Sequence, residues 1–218
     1  MEATMCSTVS VSSSYSEGFA PDVMRVEVTI SGKTGSRQAS ASAFNCLRRD
    51  VIDALAGIGV SEGEVKSGYF GVSALRDDDG EFTGEFGYYG SLSFGTACAQ
   101  ERYDEVWAAL VGVDPQVSFD CDYDLSDWEG AREQILRKTV EIGRRRAALL
   151  ADAVGCDLGQ IASVRNDVRA NEAYYDMAPV GARMMAASEA EAPEFVPEPI
   201  DVRCSVELAY ELVPRVRG

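Results

Sequence analysis

The chain has 218 residues, of which 46% are hydrophobic and 26% are charged. A chain of this length can bury about 70% of its unfolded surface without disulfides or a structural metal. Acidic residues number 36 against 20 basic residues, which gives a formal net charge of −16. Because this charge repels nucleic-acid backbones, the composition argues against nucleic acid as a partner unless a local basic patch exists.

Histidine is absent from the sequence. The commonest general base and metal ligand is therefore missing, and no Ser-His-Asp or Cys-His arrangement can form within one chain. The six cysteines show neither C-x-x-C nor zinc-ribbon spacing, and they occur at positions 6, 46, 98, 121, 156 and 204. Since most lie within apolar patterns, we predict buried, reduced thiols. The sequence carries no cofactor signature, and we predict no cofactor.

The amino-terminal segment, Met1 to Cys6, has neither the basic region nor the apolar core of a signal peptide. No stretch approaches the ~20 apolar residues that a membrane-spanning helix needs. As written, the sequence therefore predicts a cytoplasmic protein without a membrane span.

Hydrophobic periodicity predicts ten elements. In chain order they are strands at about 5–11 and 23–30, a helix at 36–58, strands at 65–75 and 82–98, a helix at 100–111, a strand at 117–125, a helix at 127–154, and strands at 161–168 and 200–212. Asp79-Gly80 between the third and fourth strands is typical of a hairpin turn.

The element order is β-β-α-β-β-α-β-α-β-β, and it contains the split β-α-β-β-α-β arrangement. Each confident strand has one apolar and one polar face. This pattern predicts an α+β fold with one broad, mainly antiparallel sheet and helices packed on one face. We predict one domain over residues 1–218, with a flexible excursion at 169–199 where periodicity is lost.

The longest helix begins with Ser126-Asp127-Trp128-Glu129, which predicts a capping box. The predicted buried stripe of this helix comprises Trp128, Ala131, Ile135, Thr139, Ile142, Ala147, Leu150 and Val154.

Three carboxylates, those of Asp120, Asp122 and Asp124, share one face of the strand at 117–125. They could serve as a metal site or as the acid and base of a hydrolase. A solvated face that discourages edge pairing is the simpler interpretation. We predict no metal site and no catalytic residues, and keep these three as the candidates.

Two other clusters have structural interpretations. Arg144, Arg145 and Arg146 could bind phosphate, but consecutive helical residues point ~100° apart and do not form one stripe. The glycines at 84, 87 and 90 lie within a strand, which favours bulges or space for neighbouring rings over a dinucleotide site.

The predicted excursion carries apolar side chains. Tyr174, Tyr175, Met184 and Met185 are candidate partner contacts, while cover for the chain's own core is an equal alternative.

Several segments together resemble the SIMPL-domain family. These are Pro21-Asp22 before a strand, the helix end at 54–60, Gly87-Tyr88 in an aromatic strand, Leu125-Ser126-Asp127 before the long helix, the helix end at 148–155, Leu158-Gly159, and the Pro-rich entry at 197–202 into the last strand. The resemblance covers nearly the whole chain.

The resemblance implies an α+β fold, homo-oligomerisation, and bacterial proteins that are often exported to the cell envelope and are associated with stress. It supplies no catalytic residues. We therefore expect a non-enzymatic, self-associating scaffold or binding protein, with a carboxylate-based or metal-assisted hydrolase at Asp120, Asp122 and Asp124 as the alternative.

Overall fold

The computed structural model describes residues 7–170, 192–194 and 196–215. Its elements, in chain order, are β1 (Thr8–Phe19), β2 (Val23–Thr34), α1 (Arg37–Gly57), β3 (Lys66–Arg76), β4 (Phe82–Ala97), α2 (Gln100–Leu110), β5 (Val117–Asp124), α3 (Trp128–Ala153), β6 (Cys156–Ala170) and β7 (Ile200–Pro214), with a 3-10 turn at Glu62–Glu64. The predicted α+β class and element order are confirmed.

The described strands form two antiparallel sheets, not the single broad sheet that we predicted. One has the order β3-β4-β2-β5 and the other β1-β7-β6. Alternation of apolar residues identifies a face on each strand, but it does not determine which strands pair. Here β1 pairs with β7 at the opposite end of the chain.

The described residues separate into two compact units. The first contains 7–20, 126–170 and 199–215, with α3 and the three-stranded sheet. The second contains 21–125, 192–194 and 196–198, with α1, α2 and the four-stranded sheet. The single-domain organisation stays a prediction.

In the second unit, one face of β2 forms the centre of the core. Met24, Val26, Val28 and Ile30 are fully buried there, in one cluster with apolar residues of α1 and α2. Thus both helices cover the same face of this sheet, as the two-sided strands predicted.

The glycines of β4 have structural roles, as we predicted. A Cβ on Gly90 would lie 2.3 Å from Cε2 of Phe44, so the glycine makes room for a ring. Gly84 has a φ of +85° and lies where the β3–β4 register shifts. Only glycine adopts that conformation at little cost.

In the first unit, β7 is the central strand and α3 packs on its apolar face. Val202, Cys204, Val206 and Leu208 of β7 are buried. Ser13 of β1 is also buried, and its Oγ donates a hydrogen bond to the Thr139 carbonyl of α3 at 2.9 Å.

The buried stripe of α3 differs from our prediction at its carboxyl end. Its members recur every four residues, and they are Ala131, Ile135, Thr139, Gly143, Ala147 and Ala151. Leu150 and Val154 are exposed instead. Small residues in this stripe allow the helix backbone to lie close to the sheet. Larger apolar side chains at these positions would hold the helix farther from it.

Three predicted boundaries also change. Asp127, not Ser126, caps α3, because its carboxylate accepts a hydrogen bond from the Gly130 amide at 2.7 Å. Strand β1 continues to Phe19. The prediction ended too early because the serines beyond the predicted end obscure the alternation of apolar and polar residues by which a strand is predicted. Strand β6 continues to Ala170, so the first two residues of the predicted excursion belong to a strand. Residues 171–191 of that excursion lie outside the described residues.

Substituting Gly143 by Val tests the close packing of α3. A Cβ at this position would lie 2.8 Å from both Leu208 Cδ1 and Ser13 Oγ, and both side chains are buried. We expect the free energy of unfolding, measured by urea denaturation, to fall by about 1–3 kcal/mol. Gly57→Val is the matched control, since Gly57 is helical and has no heavy atom within 4 Å of its added Cβ. Equal effects of the two substitutions would contradict this account.

Substituting Leu92 by Ala tests whether the two units unfold together. Leu92 is fully buried in the second unit, so its truncation should destabilise that unit by about 2–5 kcal/mol. The folded second unit holds its ends together, since the Asp22 amide donates to the Asp124 carbonyl at 3.2 Å. If the second unit were unfolded, bringing β1 and α3 of the first unit together would require closing a loop of about 105 residues. The loss of chain entropy on closing such a loop costs about 4 kcal/mol.

Each unit contains one of the two tryptophans, so the fluorescence of each tryptophan can report on the unfolding of its own unit. The buried Trp107 Nε1 has no hydrogen-bond partner among the described residues, so Trp107→Phe removes no such bond and leaves Trp128 as the probe of the first unit. In this background we expect Leu92→Ala to lower the urea midpoint of Trp128 fluorescence. An unchanged midpoint would show that the units unfold independently.

Candidate functional site

The open face of the three-stranded sheet carries a regular array of polar side chains. Across the strands, Ser14 faces Ser205, which faces Asp167, while Ser12 faces Glu207, which faces Arg165. All six residues are exposed. A depression of about 460 Å³ lies along them and is also lined by Arg146 and Arg203. Within a strongly acidic chain, this surface mixes both charges.

The β1 edge of this sheet is engaged by side chains of α3. Arg146 Nη1 donates to the Ser12 carbonyl at 3.1 Å, and Lys138 Nζ lies 2.5 Å from Glu17 Oε2. The hydrogen bond from Lys138 lowers the pKa of Glu17, and the same bond raises the pKa of Lys138. These contacts bring α3 towards β1.

The β6 edge is much more exposed. Among the residues of β6 whose burial is described, four are partly covered and the others are exposed. The four are Cys156, Leu158, Gly159 and Val168. Ile161 and Val164 retain 50% and 53% of their accessible surface although they are apolar. Because Val164 faces the buried Leu208 across the ladder, it lies on the same sheet face as the core. The described residues therefore cover the core face of this sheet incompletely at β6.

The carboxyl end of α3 also exposes apolar side chains. Leu149, Leu150 and Val154 are 67%, 47% and 63% exposed. Leu149 and Leu150 line a second depression, of about 430 Å³, together with Arg146 and residues of β1.

The three candidate carboxylates lie on an edge strand, β5, and on the face opposite the core. Asp120 and Asp122 are exposed. Asp124 forms an ion pair with Arg25 and accepts a hydrogen bond from the Leu125 amide at 2.9 Å. Within the described ranges, no group of three His, Cys, Asp or Glu side chains is placed to share a metal ion. The sheet thus aligns the three residues without assembling a ligand set.

The three consecutive arginines of α3 have different environments, as helical geometry predicted. Arg145 pairs with Glu141 at 2.9 Å, while Arg146 bonds to the Ser12 carbonyl. Arg144 is exposed. Nearby, Arg137 pairs with Glu133 one turn away.

The cysteines are more varied than we predicted. Cys204 is buried, but Cys46 is exposed on α1, so the expectation of buried thiols is wrong there. Residue 46 lies beside the buried stripe of α1 and not within it. Burial, with Asp120 and Asp122 nearby, raises the pKa of Cys121 to about 12. The five described cysteines are free, and Cys6 lies outside the described residues.

The predicted partner contacts Tyr174, Tyr175, Met184 and Met185 lie outside the described residues. The surface described above was not predicted as a site. Its central residues, Arg203 and Glu207, follow from the alternation of the last strand, but nothing in the sequence identified Arg165 and Asp167 as their neighbours.

Thiol labelling tests the environment of Cys121. A thiol of pKa about 12 has about a thousandfold less thiolate at pH 8 than one of pKa 9.0. We therefore expect iodoacetamide at pH 8 to alkylate Cys46 early and Cys121 only on unfolding, as followed by peptide mass spectrometry. Labelling at Cys121 should accelerate as the pH rises towards 12, and equal rates at the two residues at pH 8 would contradict the assignment.

Of the helices in the described part of the chain, none has the length and apolar character needed to cross a bilayer.

Comparisons with known proteins place this chain in a family. A search of curated proteins finds no match. A crystal structure titled as an unknown protein from Galdieria sulphuraria is similar over 87% of this chain and 82% of its own, with 13% identity and a TM-score of 0.22. The family model of SIMPL, described as a protein of unknown function (DUF541), matches residues 9–210, and the chain therefore belongs to the SIMPL family.

Proposed function

We propose that this chain is a non-enzymatic scaffold or binding protein that assembles with copies of itself. The observation that supports this most directly is the incompletely covered β6 strand, where Ile161 and Val164 remain about half exposed on the core face of a sheet. Single exposed apolar residues are common on protein surfaces. Apolar residues on a long strand at the edge of a sheet are different, because such an edge also offers free backbone hydrogen-bonding groups.

The exposed end of α3 adds to the same argument. Leu149, Leu150 and Val154 provide a second apolar area on the first unit. Covering apolar surface contributes about 25 cal/mol for each Å², so a contact that buries either area would stabilise an assembly. The mixed charges of the open sheet face favour a protein partner, since charges of both signs can be matched by complementary charges across a protein interface.

The charge distribution supports a partner other than nucleic acid. The formal net charge is −16, and the basic residues of α3 are distributed among separate contacts. A phosphate backbone would need several basic residues on one surface without acidic neighbours. Arg146, Arg165 and Arg203 do line one depression, but Asp167 and Glu207 line it with them.

The alternative, a carboxylate-based or metal-assisted hydrolase, has less support. A general acid or base acts within reach of a bound substrate. Here Asp124 is paired with Arg25, while Asp120 and Asp122 are exposed on an open sheet face. The hydrolase stays an untested alternative.

Light scattering coupled to size-exclusion chromatography tests the proposal. At physiological ionic strength we expect a mass of at least twice the 23.5 kDa of one chain, increasing with loading concentration if the assembly is reversible. As a matched control, Val164→Ser should reduce the assembled fraction, while Val111→Ser should not, because Val111 is 48% exposed but lies outside the first unit. A strict monomer at all concentrations would contradict the proposal.

A further inference from the structure

We propose that β6 pairs antiparallel with β6 of a second copy, with Asn166 on the two-fold axis, so that two three-stranded sheets become one six-stranded sheet. This inference rests on the proposed self-association and specifies its interface. The juxtaposition that supports it is a self-complementary sequence of charges and apolar residues along an exposed strand edge.

Among the four edge strands that the described residues form, β6 is the most suitable for pairing. On β1, the Ser12 carbonyl already accepts a hydrogen bond from Arg146. On β5, Asp120, Asp122 and Asp124 would meet the same carboxylates of a second copy, and directly opposed like charges are destabilising. On β3, two register shifts interrupt the ladder.

The part of β6 that would pair is regular. Its two register shifts lie before Ser163, and from Ser163 to Ala170 every residue has a partner on β7 in one continuous register. A strand that is held straight by its inner neighbour presents its outer backbone groups at the spacing that another antiparallel strand needs.

Matching of sheet faces restricts the register. In an antiparallel pair, directly opposite residues lie on the same face, so one residue of β6 must sit on the two-fold axis. Arg165 or Asp167 on the axis would oppose like charges. Asn166 on the axis instead places Arg165 opposite the partner's Asp167, and this ion pair occurs twice by symmetry.

The same register matches the other face of the strand. Val164 lies opposite the partner's Val168, again twice, and Val164 is the residue that is 53% exposed in one copy. Pairing would therefore cover apolar surface on the core side while it forms ion pairs on the open side.

The ion pairs would also extend contacts that already exist within one copy. Arg165 faces Glu207 on β7, and Arg169 Nε lies 2.8 Å from Asp167 Oδ2. In the paired sheet, Asp167 would lie beside its own Arg169 and opposite the partner's Arg165, and no like charges would be directly opposed across the β6–β6 contact.

Two charge-reversal variants test this register. Arg165→Asp opposes Asp with the partner's Asp167, and Asp167→Arg opposes Arg with the partner's Arg165. We expect each variant alone to associate roughly tenfold more weakly than the wild type, because two like-charge pairs replace two opposite-charge pairs. An equimolar mixture should recover association, since only the mixed pair restores both ion pairs. Recovery on mixing also excludes misfolding as the reason for the loss.

A disulfide provides an independent geometric test. In this register, Asn166 faces its own copy across the axis, with a Cα separation of about 4.5–5.5 Å, which a disulfide can span. Asn166→Cys should therefore give a covalent dimer under mild oxidation. Ser163→Cys, on the same exposed strand, should not, because residue 163 would face the partner's Arg169 instead of itself. Both variants retain the native cysteines, so these contribute equally.

The outcomes separate the two proposals. A monomeric wild type would overturn both the proposed function and this interface. An oligomeric wild type whose assembly is unaffected by either charge reversal, or in which Asn166→Cys and Ser163→Cys crosslink equally, would overturn the β6 interface and leave self-association intact. Loss with each variant and recovery on mixing is the result that we expect.

Discussion

The close contact of α3 with the three-stranded sheet is the constraint on which the first unit depends. Gly143 and the small residues on either side of it bring the helix backbone close to β7, and the Ser13–Thr139 hydrogen bond connects it to β1. A helix is about 10 Å wide and neighbouring strands are about 4.8 Å apart, so one helix covers about two strands. Because α3 is held towards β1 by Arg146 and Lys138, the third strand, β6, is left exposed. The proposed interface is a consequence of that geometry.

Net charge and local charge have opposite consequences for assembly. A formal charge of −16 makes copies of this chain repel one another at long range. Association therefore requires a surface where opposite charges are close together and complementary. The residues around Asn166 provide such a surface, whereas the carboxylates of β5 have the opposite character and would prevent that edge from pairing.

Part of the candidate site could be predicted from the sequence, and part could not. Alternation predicted one polar face for each confident strand, and in the last strand Arg203, Ser205 and Glu207 lie on that face because they occupy alternate positions. The role of β6 could not be predicted, because two register shifts between Leu158 and Ser163 break its alternation and the predicted strand was too short. Asp120, Asp122 and Asp124 were correctly assigned to one strand face, but only the pairing of β5 with β2 revealed that Arg25 neutralises one of them.

The sequence by itself determined the family, the α+β class, the order of the elements and the apolar face of each strand. These properties depend on local periodicity, which a single chain displays directly. For the described part of the chain, the tertiary structure decided that the strands form two sheets, that β1 pairs with β7, and that β6 is an edge which the other described residues cover incompletely. These depend on contacts between residues far apart in the chain and on the limited width of one helix, and neither is encoded in the period of any segment.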